Sequence, residues 1–124
     1  MDEIGTFDSF HGLRPYVIWE GAVARAVHGE HLTMAVVDLE PNVAVPEHRH
    51  VNEQAGFVAR GSITMTVGGE SRDLEVGETY VIATDVPHAA LAGPGGATVV
   101  DIFSPPREDW EGLERLEPSR GAWP

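Results

Sequence analysis

An all-β sandwich or barrel is the fold class that this sequence predicts, and three observations predict it. Helical periodicity is nearly absent before residue 105. Short runs rich in Val, Ile, Thr, Phe and Tyr are separated by Gly, Pro, Asn and Asp, as strands are by turns. Gly68-Gly69, between SITMTV and ESRDL, is a two-residue hairpin signal, because glycine accepts positive φ without steric cost.

The elements follow in order. Candidate strands are 15–20, 22–28, 31–39, 43–50, 54–60, 62–67, 70–75, 79–83, 87–92 and 97–103. Gly61 ends one of them, and Gly77 opens the turn before TYVIA. After Ser104-Pro105-Pro106 the pattern changes: REDWEGLERL, residues 107–116, sets Trp110, Leu113 and Leu116 three apart. That spacing predicts a short amphipathic helix packed on the outside of the barrel. Glu108, Asp109 and Glu111 lie at its start, where the helix dipole favours acids. EPSRGAWP, 117–124, reads as a tail whose Trp123 docks on a partner or on the body. The chain is thus a single domain with a core over about 15–104, and 124 residues suffice to bury a core without staples.

Composition narrows the chemistry. There are 20 acidic and 8 basic residues, a formal charge of −12, and no cysteine. All eight basic residues are arginine. Thiolate nucleophiles, iron–sulfur clusters, cysteine zinc sites, lysine Schiff bases and a P-loop lysine are therefore excluded. Imidazole, carboxylate, hydroxyl or a bound metal must carry any catalysis. Nucleic acid is excluded as a partner, because a phosphate backbone attracts clustered basic residues and these arginines are scattered among acids. No apolar run approaches the roughly 18–20 residues of a membrane helix. The start, MDEIGTFDSF, is acidic and has no hydrophobic stretch, so the expectation is a cytoplasmic protein without a signal peptide.

The segment 47–61, EHRHVNEQAGFVARG, carries the chemistry. His48 and His50 are two apart, and side chains i and i+2 share a face of a strand. About forty residues later comes His88, in DVPHAA. Three imidazoles and one oxygen ligand fill four positions of an octahedron and leave two open. A lone histidine is more often a hydrogen-bonded structural residue, and His11, His28 and His31 are read that way. Gln54 and its neighbour Glu53 both stand at the position of the fourth ligand. Spacing to Gly61 favours Gln54, and strand alternation does not decide. Three imidazoles and an amide leave a divalent cation its full charge, whereas a glutamate cancels half of it. The neutral set makes the stronger Lewis acid and tilts the chemistry toward isomerase, hydrolase or lyase reactions and away from dioxygen activation.

These residues resemble the first motif of the cupin superfamily, a His-x-His followed by an acidic ligand and a glycine. His48, His50, Gln54 and Gly61 fall at its spacing, with Gln where the pattern has Glu. Residues 77–88, with Gly77, Pro87 and His88, resemble the second motif. The sequence departs from the pattern at Asn42, which takes the first glycine position and tolerates left-handed backbone angles. It departs also at Ala83-Thr84-Asp85, which lack a Pro-x-Gly, and at Ala92, where the pattern has Asn. The resemblance implies a cupin (double-stranded β-helix, jelly-roll) barrel over about residues 30–104.

HRHVNEQAGFVARG and DIFSPPREDW are similar, more narrowly, to the KdgF-type cupins of pectin and alginate catabolism. That likeness implies ring opening and tautomerisation of 4,5-unsaturated uronates to linear 5-keto-4-deoxyuronates, in a small homodimeric cupin with a divalent metal. It implies His48, His50, Gln54 and His88 as ligands, and Asp101, Phe103 and Arg107 in the pocket for an anionic sugar acid. Zn, Ni, Fe, Co and Mn all suit imidazole and amide oxygen.

Residue chemistry supports part of this. Val99, Asp101 and Phe103 share one strand face. If it points inward, Asp101 lies in an apolar pocket near a cation, with burial raising its pKa and the cation lowering it. A group so balanced suits proton transfer near neutral pH. Its plain alternative is an edge-strand Asp or a structural partner for an arginine. Phe103 is a wall for the sugar or simply core. Arg107 either receives a carboxylate bidentately or pairs with Glu108 or Glu111 at the helix start. Arg49 and Arg60 are weaker candidates for that carboxylate. Two other functions fit a cupin fold: a dioxygenase or lyase on another small molecule, and a non-enzymatic sugar-binding module.

Overall fold

A computed structural model describes residues 5–124. Met1–Ile4, part of the acidic start on which the absence of a signal peptide was argued, lies outside the described residues. The strands are β1 Tyr16–Trp19, β2 Ala22–His28, β3 Thr33–Leu39, β4 Ala44–His48, β5 Glu53–Val67, β6 Glu70–Glu75, β7 Thr79–Ile82 and β8 His88–Ser104. The fold is mostly antiparallel β, as expected. No helix among the described residues is long and apolar enough to cross a membrane.

Two long strands organise the chain. β5 and β8 pair along nearly their whole length, from Glu53↔Ser104 to Val67↔His88. One half of this ribbon is flanked by β7 on one side and by β3, β2 and β1 on the other. The other half is flanked by β6 and β4. Side chains from both halves meet in one core, with Val37, Leu39, Val58 and Val99 from the first and Ile63, Met65 and Leu74 from the second. The sequence breaks each of these strands in two, at Gly61 and between residues 92 and 97. In the structure the strands run on through those points as bulges. Pairing shifts register between Val58 and Arg60 and again between Gly61 and Ile63. Gly61 holds φ 71°, and a Cβ there would strike the Gly96 carbonyl, so glycine bends the ribbon rather than ending it.

The turns obey the expected chemistry. Gly68 and Gly69 both have positive φ, 56° and 87°, as a two-residue hairpin of this twist requires. Asn42, in the place of a motif glycine, sits at φ 63°, and Asp85 takes the left-handed position of the missing Pro-x-Gly at φ 59°.

The C-terminal helix expected over 107–116 is not an α-helix. Only Glu108–Gly112 is helical, as a single 3-10 turn. A spacing of three is the natural repeat of a 3-10 helix, whose side chains at i and i+3 eclipse. Trp110 is buried, Leu113 packs against the core and Leu116 is left exposed. The tail does dock on the body. Arg25, buried on β2, donates to Ser119 O and Oγ at 3.2 and 3.0 Å, and Asp38 accepts from Ala122 N at 3.1 Å.

Candidate metal centre and active site

Three strands and a bend assemble the site. His48 ends β4 directly opposite His88, which begins β8. His50 lies two residues beyond the end of β4, just before the bend at Val51 and Asn52, so its ring joins the others from outside the strand. One nitrogen from each of His48, His50 and His88 lies within 4.8 Å of the other two. The ring centroids are 4.3 Å apart for His48 and His88, and 4.8 Å for His50 and His88.

Backbone carbonyls fix the tautomers. His48 Nδ1 faces Pro46 O at 2.8 Å, His50 Nδ1 faces Asn52 O at 2.9 Å, and His88 Nδ1 faces Val86 O at 2.9 Å. A carbonyl only accepts, so each Nδ1 carries a hydrogen, and the neutral form of each ring offers its Nε2 lone pair. This is the outer hydrogen bond that orients metal-binding histidines. Burial lowers the His50 pKa, helped by the nearby Arg107 guanidinium. Burial also takes His88 down to about 4. Both rings are therefore neutral near pH 7, the form in which imidazole coordinates.

Gln54, the second residue of β5, is 6% exposed and lines the same cavity, while Glu53 is exposed to solvent. Gln54 and Gly56 share a face of β5 and Asp101 lies opposite Gly56, which sets the amide beside the carboxylate, whose pKa it lowers; a carboxylate accepts, so the amide nitrogen is the end turned toward it. That leaves Gln54 Oε1 toward His50 Nε2, at 3.2 Å. Two acceptors face each other there. A cation between them resolves the conflict, so the residues present fit a divalent metal held by three Nε2 atoms and one amide oxygen.

Asp101 lies opposite Gly56 on β5, and Gly56 also lies opposite Tyr80 on β7. The Tyr80 hydroxyl donates to Asp101 Oδ1 at 2.5 Å, a short charge-assisted bond. Gly56 makes room for it, because a Cβ would overlap both groups. Burial pushes the Asp101 carboxyl up to about 6, against the lowering effect of Tyr80, Gln54 and Arg107. Burial and the neighbouring Asp101 drive the Tyr80 phenol well above its ordinary value.

Phe103 is both wall and core. It is buried, lines the cavity, and meets the His50 ring edge-to-face at 5.8 Å. Arg107 pairs with Asp109, not with Glu108 or Glu111. Its Nε and Nη2 reach the two carboxylate oxygens at 3.0 Å each. Its guanidinium carbon lies 4.7 Å from the ring centroids of both Phe103 and Trp110. It also lines the cavity. Asn52, behind the bend, donates to Pro105 O at 2.5 Å and ties the histidine segment to the segment carrying Arg107.

The remaining candidates lie elsewhere. Arg49 is exposed, and Arg60 bonds Thr98 Oγ1 and Gly95 O. His28 is a structural bridge between Tyr16 Oη and Thr33 Oγ1, and His31 is exposed beside Glu30. Sequence reasoning missed Tyr80, Trp110 and Trp19, all of which line the cavity of about 240 Å³. Alternation in TYVI, where Tyr80 and Ile82 share the inward face, was the available signal for Tyr80.

Comparison with known proteins agrees with this geometry. The cupin domain family matches residues 35–103, more than half of the chain. The pectin degradation protein KdgF of Dickeya dadantii (strain 3937) is 29% identical over 82 residues, 65% of this chain and 74% of that protein. The structure of KdgF from Halomonas sp. superposes with a TM-score of 0.78 at 27% identity, covering 85% of this chain and 97% of that one. An RmlC-like cupin from Shewanella frigidimarina NCIMB 400 has the same fold, with a TM-score of 0.76 at 24% identity over 88% of this chain and 96% of that one.

Proposed function

This chain belongs to the cupin domain family, as a small cupin of the KdgF type, and from that premise we propose that it is a metal-dependent enzyme that opens 4,5-unsaturated uronates to linear 5-keto-4-deoxyuronates. One observation carries the reading: a three-histidine cluster, each ring held by a backbone carbonyl at Nδ1, stands in the same cavity as a buried, hydrogen-bonded carboxylate with a raised pKa. The first is a metal centre and the second a proton carrier, and this isomerisation needs both.

His48, His50, His88 and Gln54 would hold the metal, which supplies a Lewis acid for the substrate's oxygens. Asp101 takes the proton of the anomeric hydroxyl. The C1–O5 ring bond breaks, C1 becomes an aldehyde, and the electron pair leaves with O5 as the enolate oxygen of C5. The proton then returns at C4, and C5 becomes a ketone. No atom is gained or lost, so one carboxyl group can serve both transfers. Tyr80 and Gln54 hold that group in place through the cycle. Arg107, lying over the adjoining rings of Phe103 and Trp110, receives the substrate carboxylate, and Phe103 forms a wall for the ring. A cavity of about 240 Å³ is smaller than the roughly 300–1,000 Å³ of drug-sized pockets, which suits one sugar ring and not a chain.

The ultraviolet absorbance of an unsaturated uronate reports the C4=C5 bond. Metal-loaded protein is expected to abolish it far faster than the spontaneous rate, and Asp101→Asn to lose that acceleration. Decay at the spontaneous rate with metal-loaded wild-type protein refutes the substrate assignment. Oxygen uptake by iron-loaded protein would instead mark a dioxygenase.

A further inference from the structure

The metal ligands and the proton carrier are usually treated as separate parts of such a site. Here one side chain joins them. An amide has one acceptor end and one donor end. The nitrogen end of Gln54 is turned toward Asp101 and its oxygen end faces His50. We propose that Asp101 is also a positioning residue: its carboxylate latches the Gln54 amide, so that the oxygen and not the nitrogen is presented to the metal.

Three features of the site support the latch. First, Asp101 is held rigidly. It is 5% exposed, receives the Tyr80 hydroxyl at 2.5 Å, and packs where Gly56 has no side chain. Second, the register sets the two within reach of each other. Gln54 and Gly56 are same-face neighbours on β5, and Asp101 is the residue opposite Gly56. Third, the choice of Gln at 54 follows from it. A glutamate there would set two buried carboxylates against each other, and like charges sharing a site cannot both ionise. Glutamine gives the metal an oxygen while giving Asp101 a hydrogen. A side chain reaching the metal without Asp101 beside it would have no such reason to be an amide.

The inference rests on the metal site proposed above. It is tested by a double-mutant cycle read by zinc affinity, measured calorimetrically and without substrate. The four proteins are wild type, Asp101→Asn, Gln54→Ala and Gln54→Ala/Asp101→Asn. Outer partners of metal ligands typically contribute about 10–100-fold to affinity. Asp101→Asn keeps the shape but no longer dictates which end of Gln54 turns to the metal, so about a tenfold loss is expected. In the Gln54→Ala background the same change should alter affinity less than twofold. An equal loss in both backgrounds would show that Asp101 acts on the cation through space, and no loss in either would show that it does not act at all; each overturns the latch. Failure of wild-type protein to bind zinc, manganese or nickel would instead overturn the metal site itself. Should Asp101→Asn fold poorly, Tyr80→Phe loosens the same carboxylate without changing its charge. It is then expected to weaken zinc binding only when Gln54 is present, and an unchanged affinity overturns the latch.

Discussion

Adding one methyl group at Gly56 should disable this site while leaving its histidines untouched. A Cβ built on Gly56 lies 2.6 Å from Tyr80 Oη and 2.7 Å from Tyr80 Cζ, and overlaps Asp101 Oδ1 as well. Optimal carbon contacts begin at about 3.5 Å, so the tyrosine and the carboxylate must each retreat by about 1 Å. Both are buried in the interior, 8% and 5% exposed, and have little room to yield. Overpacking of this kind costs about 1–3 kcal/mol. In a domain of this size, about 2 kcal/mol corresponds to a fall of roughly 6–10 °C in melting temperature. The functional effect is larger, because a misplacement of about 1 Å can cost roughly 100-fold in rate. His48, His50 and His88 do not touch Gly56, so Gly56→Ala should still bind zinc, weakened by about the tenfold expected when Asp101 no longer holds Gln54. The assay is calorimetric melting together with decay of uronate absorbance. A variant that melts with wild type and turns over within threefold of it would refute the reading of Gly56 as the space that lets Tyr80 hold Asp101.

Arg107→Lys keeps the charge but loses the fork that grips Asp109 and the planar cation over the rings of Phe103 and Trp110; KM for the uronate should rise about 10–100-fold with a smaller change in kcat, and an unchanged KM would remove Arg107 from substrate binding. Arg25→Met leaves Asp38, 15% exposed at its side chain, without its cation and frees Ser119 of the tail. Breaking one side of a buried pair costs about 3–5 kcal/mol, and urea unfolding showing less than 1 kcal/mol would contradict that. His28 has its pKa lowered from 6.5, first by burial and then by Arg115, against the pull of Glu111. Its neutral form, bridging Tyr16 and Thr33, therefore contributes stability that is complete above pH 6.5 and is lost as pH falls from 6.5 through the folded value. The wild type should lose stability faster than His28→Gln over that interval, and parallel curves would count against it.

The strands were legible because their burial alternates, and most ends fall within two residues of the expected ones. Gly61 misled for a physical reason. A glycine at positive φ reads as a stop in sequence, but inside a long ribbon it permits a bulge, and only the partner strand distinguishes the two. The 107–116 segment misled because a repeat of three apolar residues over one or two turns fits α and 3-10 geometry alike. The histidine cluster was legible through spacing, although His50 joins it from beyond the end of β4 and not from the strand itself. Tyr80 was not legible as a functional residue. Its significance comes from lying across β5 from Asp101, a pairing between residues 21 apart that passes through a glycine.

The charge of −12 takes on a different meaning once the arginines are followed to their places. Arg25 is occupied by Asp38 and the tail, Arg60 by Thr98 and Gly95, Arg72 by Glu70, and Arg14 and Arg115 by carbonyls at the C-terminal segment. Among the described residues, Arg107 alone of the basic side chains lines the cavity, and Asp101 is the one carboxylate there. Arg107 is itself paired with Asp109, so these three groups together carry about one negative charge. A divalent metal held by three neutral imidazoles and a neutral amide would then reverse the sign of the cavity, leaving it about one charge positive within a strongly acidic surface. A glutamate at position 54 would cancel that excess. The long-range field repels a uronate weakly and is screened within about 8–10 Å at physiological ionic strength, whereas the cavity acts at contact distance in a low-dielectric setting. The neutral ligand set thus serves admission of an anion as well as chemistry. Turnover of an anionic uronate by the metal-loaded protein should accordingly rise with ionic strength in KM terms only slightly, because the attraction that decides binding lies inside the screened radius.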